Sequence, residues 1–213
     1  LRRSLAFSYR EALRIRIGEW GVKRMWRVGL VVLILVFCTG CDQVTKNMAR
    51  EWLAPSPPIS ALNDFVQFEY VENLGAFLGL GSNLPQEVRF VLLVVLASAS
   101  LVLTLALIAR VHKSDLKLLI GLSFLAGGGA GNLIDRLINK GAVTDFMRLG
   151  IGSIQTGTFN VADVAIMAGV VILMLWSAGE RKGTGVHLRL IGRRKSVLIR
   201  SKEGEHKSGT GIR

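Results

Sequence analysis

Four stretches of the chain, at 28–46, 88–110, 117–138 and 161–178, are almost unbroken apolar sequence. Each is close to the ~20 residues that a helix needs to cross the hydrocarbon core of a bilayer. A backbone in lipid must satisfy its own hydrogen bonds, so each stretch is expected to be a transmembrane helix. A mean hydropathy of +0.43 and an apolar content of 50% agree with this and disfavour an ordinary soluble domain.

The formal net charge of +12 invites a nucleic-acid reading, but the charge is distributed as membrane topology would have it. Residues 1–27 carry eight Lys/Arg against two acids, and residues 179–213 carry ten against three. Between Asn47 and Glu87, Arg50 stands alone against Glu51, Asp64, Glu69, Glu72 and Glu87. Basic excess confined to the tails, and to the short connection with Arg110, His112, Lys113 and Lys117, marks cytoplasmic parts under the positive-inside rule. Both termini are then inside, and no nucleic-acid partner is expected. Three parts result. Residues 1–24 are a basic extension, either native or upstream of a true start at Met25. Residues 25–178 are the membrane domain. Residues 179–213 are a basic tail whose Ser and Gly content favours mobility and whose charge suits anionic inner-leaflet lipid.

Residues 47–87 form the larger outer segment. WLAPSPPIS holds three of the four prolines and is expected to be extended or turning. DFVQFEYVEN alternates as a short half-exposed strand does. Gly75, Gly79 and Gly81 permit tight turns beside it. The expected fold is therefore an α-helical integral membrane protein: four transmembrane helices with a small outer β platform between helices 1 and 2. Such a platform could hold a peptide by edge pairing.

The polar residues near the spans then matter most. With both ends inside, Asp42, Asn73, Asp135, Asp145 and Asp163 all fall at or near the outer face. Acids next to membrane-grade segments are costly unless paired, wetted or used. Asp42 and Lys46 are four apart in the favourable helical orientation and read equally as an ion pair ending the span. Gly127 and Gly131 form a small-xxx-small step that lets helices approach. Asp135 has Arg136 beside it as a ready ionic partner, and Arg136 could instead take a substrate carbonyl or a lipid phosphate. Asn160 suits an N-cap, which puts Asp163 at the third helical position, where an acid also serves the helix dipole.

Asp145 and Asp163 stand 18 residues apart across a Gly- and Ser-containing connection, so they can face each other from the end of one helix and the start of the next. Two carboxyls sharing a proton can hydrolyse a peptide: one activates water, the other polarises the carbonyl. Close acids in a poorly hydrated site cannot both ionise easily. The three histidines, His112, His187 and His206, fall on the cytoplasmic side, which disfavours a Ser-His relay or a His-ligated zinc. A small ion-coupled transporter is the alternative, although its ionisable groups would be expected near mid-bilayer. Cys38 and Cys41 lack the context of a redox or zinc site. Thr39-Gly40-Cys41 after an apolar run imitates a lipoprotein signal, which three further spans argue against.

Five segments in order, DQVTK at 42–46, ENLGAF at 72–77, GNLIDR at 131–136, GAVTDF at 141–146 and FNVAD at 159–163, resemble the lipoprotein signal peptidase (signal peptidase II) family. The match covers residues 25–178. The resemblance implies a four-helix aspartyl endopeptidase of the bacterial inner membrane. Its substrates would be diacylglyceryl-modified prolipoproteins, cut just before the lipidated cysteine on the periplasmic side. It implies Asp145 and Asp163 as the catalytic pair, with Asp135 the rival for the first role. It implies support from Asp42, Lys46, Asn73, Gly75, Asn132, Arg136 and Asn160, sensitivity to globomycin, and no metal or cofactor. The two basic ends have no counterpart in its motifs.

Overall fold

A computed structural model describes the backbone of residues 2–75, 85–112, 115–152 and 154–182, and within these ranges the side chains from 25 to 179. The expectations for Gly79, Gly81, His187, His206 and the basic tail lie outside the described residues. Helix α1 runs Arg2–Met48 and closes in a π-helical turn, Ala49–Leu53; α2 is Gln86–Arg110, α3 Leu116–Ile138 and α4 Val161–Lys182. Among the described residues, four segments are long and apolar enough to cross a membrane: Met25–Leu53, Gln86–Arg110, Leu116–Ile138 and Val161–Gly179. Large apolar side chains point outward along them, among them Leu33, Phe37, Val95, Val102, Met167 and Leu175. That much exposed hydrocarbon suits lipid rather than water.

Helix α3 is the buried centre, with Leu119, Leu122, Ala126, Gly127, Gly128, Gly131, Asn132 and Asp135 all enclosed. Its glycines explain how. A β-carbon at Gly127 would lie 2.8 Å from the Cys38 Cβ of α1, and one at Gly131 would lie 2.5 Å from an Asp42 carboxylate oxygen. At Gly128 it would strike the Ala162 carbonyl of α4. The expected small-residue step thus seats α3 against two helices at once. At the basic end of the bundle the Arg27 guanidinium donates to the carbonyls of His112 (3.2 Å) and Val111 (3.4 Å), tying α1 to the α2–α3 connection.

The sheet is larger than the alternation in residues 64–73 suggests. Strands β1 (Ile59–Ala61) and β2 (Val66–Asn73) come from the α1–α2 connection, as expected. Strands β3 (Val143–Ile151) and β4 (Ile154–Gln155) come from the α3–α4 connection, and the antiparallel order is β1-β2-β3-β4. The platform is therefore shared by the α1–α2 and α3–α4 connections. β3 hides from pattern reading because its first residues, Val143 to Phe146, are buried on both faces and do not alternate. Between Phe68 and Val71 the register slips by one residue, a bulge that re-aims the end of β2. The proline stretch is extended as expected from Pro57 onward, whereas Trp52 and Leu53 still belong to the π turn.

Candidate active site

Asp145 lies on β3, not at the end of a helix as the spacing had suggested, and the strand explains its surroundings. On one side β2 runs antiparallel with Val71 opposite Asp145 and Asn73 opposite Val143. On the other side Phe159 bridges Met147: its carbonyl accepts from the Phe146 and Met147 amides (3.1 and 3.0 Å), and its own amide donates to Met147 (2.8 Å). That bridge delivers Asn160, the next residue, to the opposite flank of the same carboxylate. Asn73 Nδ2 donates to Asp145 Oδ2 at 2.9 Å, and Asn160 Nδ2 donates to Oδ1 at 2.6 Å. Asp145 is 1% exposed. Burial pushes its carboxyl from the usual range up to about 6; the Asn73 bond opposes this, the negative charge of Asp163 adds to it, and Asn160 and Lys46 oppose it.

Asp163 sits in the first turn of α4 and is only half-buried. The expected cap is reciprocal: the Asp163 amide donates to Asn160 Oδ1 (2.9 Å) and the Asn160 amide donates to Asp163 Oδ2 (3.2 Å). Asp163 is not spent on capping alone, because its Oδ1 accepts from Asn132 Nδ2 at 2.9 Å. One residue, Asn160, therefore touches both acids.

Beneath the pair lies a second layer. Asp42 and Lys46 are an ion pair at 2.8 Å, both wholly enclosed rather than ending the span at a wet interface. Asp42 also accepts from the Ala162 amide (2.9 Å), so an acid of α1 satisfies an otherwise unpaired donor at the start of α4. Asp135 does not pair with Arg136. Neighbours in a helix point about 100° apart, and Asp135 turns inward to Lys46 (3.4 Å) and Arg50 (3.2 Å). It further accepts from Gln43 (3.2 Å) and from the Thr144 amide (2.8 Å). Arg136 donates instead to the Asn132 carbonyl one turn back (3.3 Å), and its Nε finds no acceptor. Gly75 is buried, and its amide donates to Asn73 Oδ1 at 3.0 Å.

All ten residues singled out in the sequence thus meet at one end of the bundle. A family model for signal peptidase (SPase) II matches residues 33–178. The chain belongs to the signal peptidase II family. Relatives described as lipoprotein signal peptidases include that of Coxiella burnetii, 36% identical over 71% of this chain and 86% of its own. Those of Aquifex aeolicus (33%; 63% and 77%) and Clostridium novyi (30%; 71% and 99%) are similar. Two solved structures, each described as a bacterial membrane enzyme, share the fold. One has a TM-score of 0.62 at 24% identity, covering 75% of this chain and 96% of its own; the other 0.61 at 25%, covering 70% and 93%. As a signal peptidase II, the chain is a multi-pass membrane protease. No observation favours the ion-coupled transporter.

Sequence reasoning missed Gln43, Arg50 and Thr144 in this member of the signal peptidase II family. Arg50 Nη2 bridges Asp135 and Thr144 Oγ1 (2.8 Å), and so ties the end of α1 to β3 beside Asp145. A signal existed, since Asp42, Lys46 and Arg50 follow one another at intervals of four and share a helix face.

Proposed function

We propose that this chain removes signal peptides from diacylglyceryl-modified prolipoproteins, cutting just before the lipidated cysteine, by aspartyl chemistry at Asp145 and Asp163. The observation that carries this reading is that one asparagine, Asn160, bonds both carboxyl groups, one from β3 and one from α4. Asp163, half-buried and supplied with two donors, is the ionised partner. It takes a proton from water as the water oxygen bonds to the scissile carbonyl carbon. Asp145, held up to about 6 by burial, supplies the proton that the carbonyl oxygen needs. When the C–N bond breaks, the amine departs with the proton first collected by Asp163, a hydroxyl of the gem-diol returns its proton to Asp145 as the product carboxyl forms, and the carboxyl pair is restored.

Asp135 is a poor rival. Four donors saturate it, and it is fully enclosed. Asp42, Lys46, Asn73, Gly75, Asn132 and Asn160 hold the pair in place. Arg136, whose Nε is unpartnered, is the group for a substrate carbonyl or lipid phosphate. The charge distribution supports a bacterial inner-membrane location with both termini cytoplasmic and the site near the periplasmic face.

The test is cleavage of a diacylated precursor peptide by the purified, lipid-embedded protein. Asp145→Asn and Asp163→Asn are each expected to lower turnover by about 10²–10⁴-fold or more while the protein stays folded. Globomycin is expected to inhibit the wild type. Retained turnover in either variant would remove that acid from the mechanism.

A further inference from the structure

Three asparagines present an amide to the two acids: Asn73 and Asn160 to Asp145, and Asn132 to Asp163. An asparagine side chain can face a carboxylate either way round, and only its NH2 end supports the ionised form. In each case the opposite end, Oδ1, is claimed by a group that can only donate. For Asn73 it is the Gly75 amide, for Asn160 the Asp163 amide, and for Asn132 the Lys46 ammonium at 3.0 Å. Two of the three orienting groups are backbone. The third is a side chain, enclosed completely.

We propose that Lys46 is a positioning residue: by occupying Asn132 Oδ1 it obliges the Asn132 amide to donate to Asp163. The proposal rests on Asp145 and Asp163 being the reacting pair. Nothing else holds Asn132 as firmly. Asn160 Nδ2 also approaches Asn132 Oδ1 (3.2 Å), but its two protons face two further acceptors, the Thr144 carbonyl (3.3 Å) and Asp145 (2.6 Å). With Lys46 gone, Asn132 is free to turn its oxygen toward Asp163, and that arrangement favours the protonated acid. The ion pair with Asp42 does not account for the contact, since an i,i+4 pair requires no asparagine from another helix. The charged groups around Asp163 are Asp145 on β3 and Arg136 on α3. Those around Lys46 are Asp42 on α1, Asp135 on α3, the latter also held by Arg50, and Asp145 on β3, whose charge Lys46 also favours.

The experiment measures kcat and KM against pH for the full chain in lipid with a diacylated precursor peptide. Asp42→Asn/Lys46→Met removes the donor and leaves the net charge unchanged, with Asp42→Asn alone as control. In the control the amide oxygen can still accept from Ala162. The acid limb of kcat in the double variant is expected to move about one unit to higher pH relative to the wild type, a tenfold loss on that limb, with KM little changed, whereas the Asp42→Asn control, which keeps the Lys46 donor, is expected not to move up. Lys46→Arg, still a donor and still charged, is expected to keep the wild-type limb. A purely structural role would instead scale the whole profile down with both limbs in place, and that result overturns the proposal. Should the double variant fail to fold, Asn132→Asp decides. It keeps an oxygen for Lys46 but replaces the donor facing Asp163, so the acid limb must again rise; an unmoved limb overturns the proposal. Failure of the underlying reading shows separately, as turnover retained by Asp145→Asn or Asp163→Asn.

Discussion

Asp145 has lost almost all contact with bulk water, and two asparagine amides stand where solvent would otherwise serve its charge. Burial outweighs them and leaves the carboxyl at about 6. For an acid that acts protonated, activity is lost as pH rises through that value, so kcat/KM is expected to fall on the alkaline side with an apparent midpoint near 6. The limb of kcat is expected to lie higher, because bound substrate excludes more water. The sign for Asn73 follows. Its bond favours the ionised form, so Asn73→Ala removes an opposing influence and moves the alkaline limb up. A hydrogen bond worth about 1 kcal/mol corresponds to somewhat under one pH unit. A limb that stayed still or moved down in a pH–rate profile would show that Asn73 does not set this acid.

Among the elements, β3 is held on three sides: by β2, by the Phe159 bridge, and by Asp135 and Arg50 below it. The π turn after Met48 ends α1 within one turn of Arg50, whose guanidinium reaches Asp135 and Thr144. Arg50→Ala is expected to cost about 1–3 kcal/mol of stability, the scale of hydrogen bonds to a charged group. It should also lower kcat more than it raises KM, since β3 carries Asp145; thermal melts and steady-state kinetics test both. The α3–α4 contact is more demanding. A β-carbon at Gly128 meets backbone, the Ala162 carbonyl, which cannot swing aside as a side-chain tip can. Gly128→Val is therefore expected to destabilise by about 1–3 kcal/mol or more and to displace the first turn of α4, with Asp163 in it. A normal melting temperature with normal turnover would contradict this.

At the scale of the molecule, two ends are distinguishable. One has Arg27 bound to the carbonyls of the α2–α3 connection, and the other has the sheet and all the acids of the site. With the basic end inside, Leu62→Cys in the turn between β1 and β2 should react with an impermeant maleimide in intact spheroplasts. Lys117→Cys should react only after permeabilisation. Both are made in a Cys38→Ala/Cys41→Ala background, because both native cysteines are free. The reverse labelling pattern would invert the topology. The outward apolar surface of the helices forms the lipid-facing belt, and bulk hydrophobicity does not explain the buried polar network beside it.

The spans, their number and the meeting of Asp42, Asn73, Asp135, Asp145 and Asp163 at one end were legible in the chain, and the family resemblance added Lys46, Gly75, Asn132, Arg136 and Asn160. Hydrophobic length and charge asymmetry act locally, and parity of crossings then decides which residues share a face. Asn160 as a cap was legible because it is governed by neighbours within a turn, and the glycine step of α3 because its spacing is a local pattern, although what it packs against is not. The partners of Asp135, the capping of α4 by Asp42 and the role of Arg50 were not. Apart from the Thr144–Asp135 bond, nine residues apart, their contacts join residues 85 to 120 apart, and no local periodicity records them. Asp135 shows the difference most plainly: adjacency suggested Arg136, whereas helical geometry turned it toward Lys46. The strand under Asp145 was hidden because both its faces are buried, leaving no alternation to read. Sequence alone could place two acids on one side of a membrane; only packing of helix against strand decided which donors surround each, and so which of them can hold the proton.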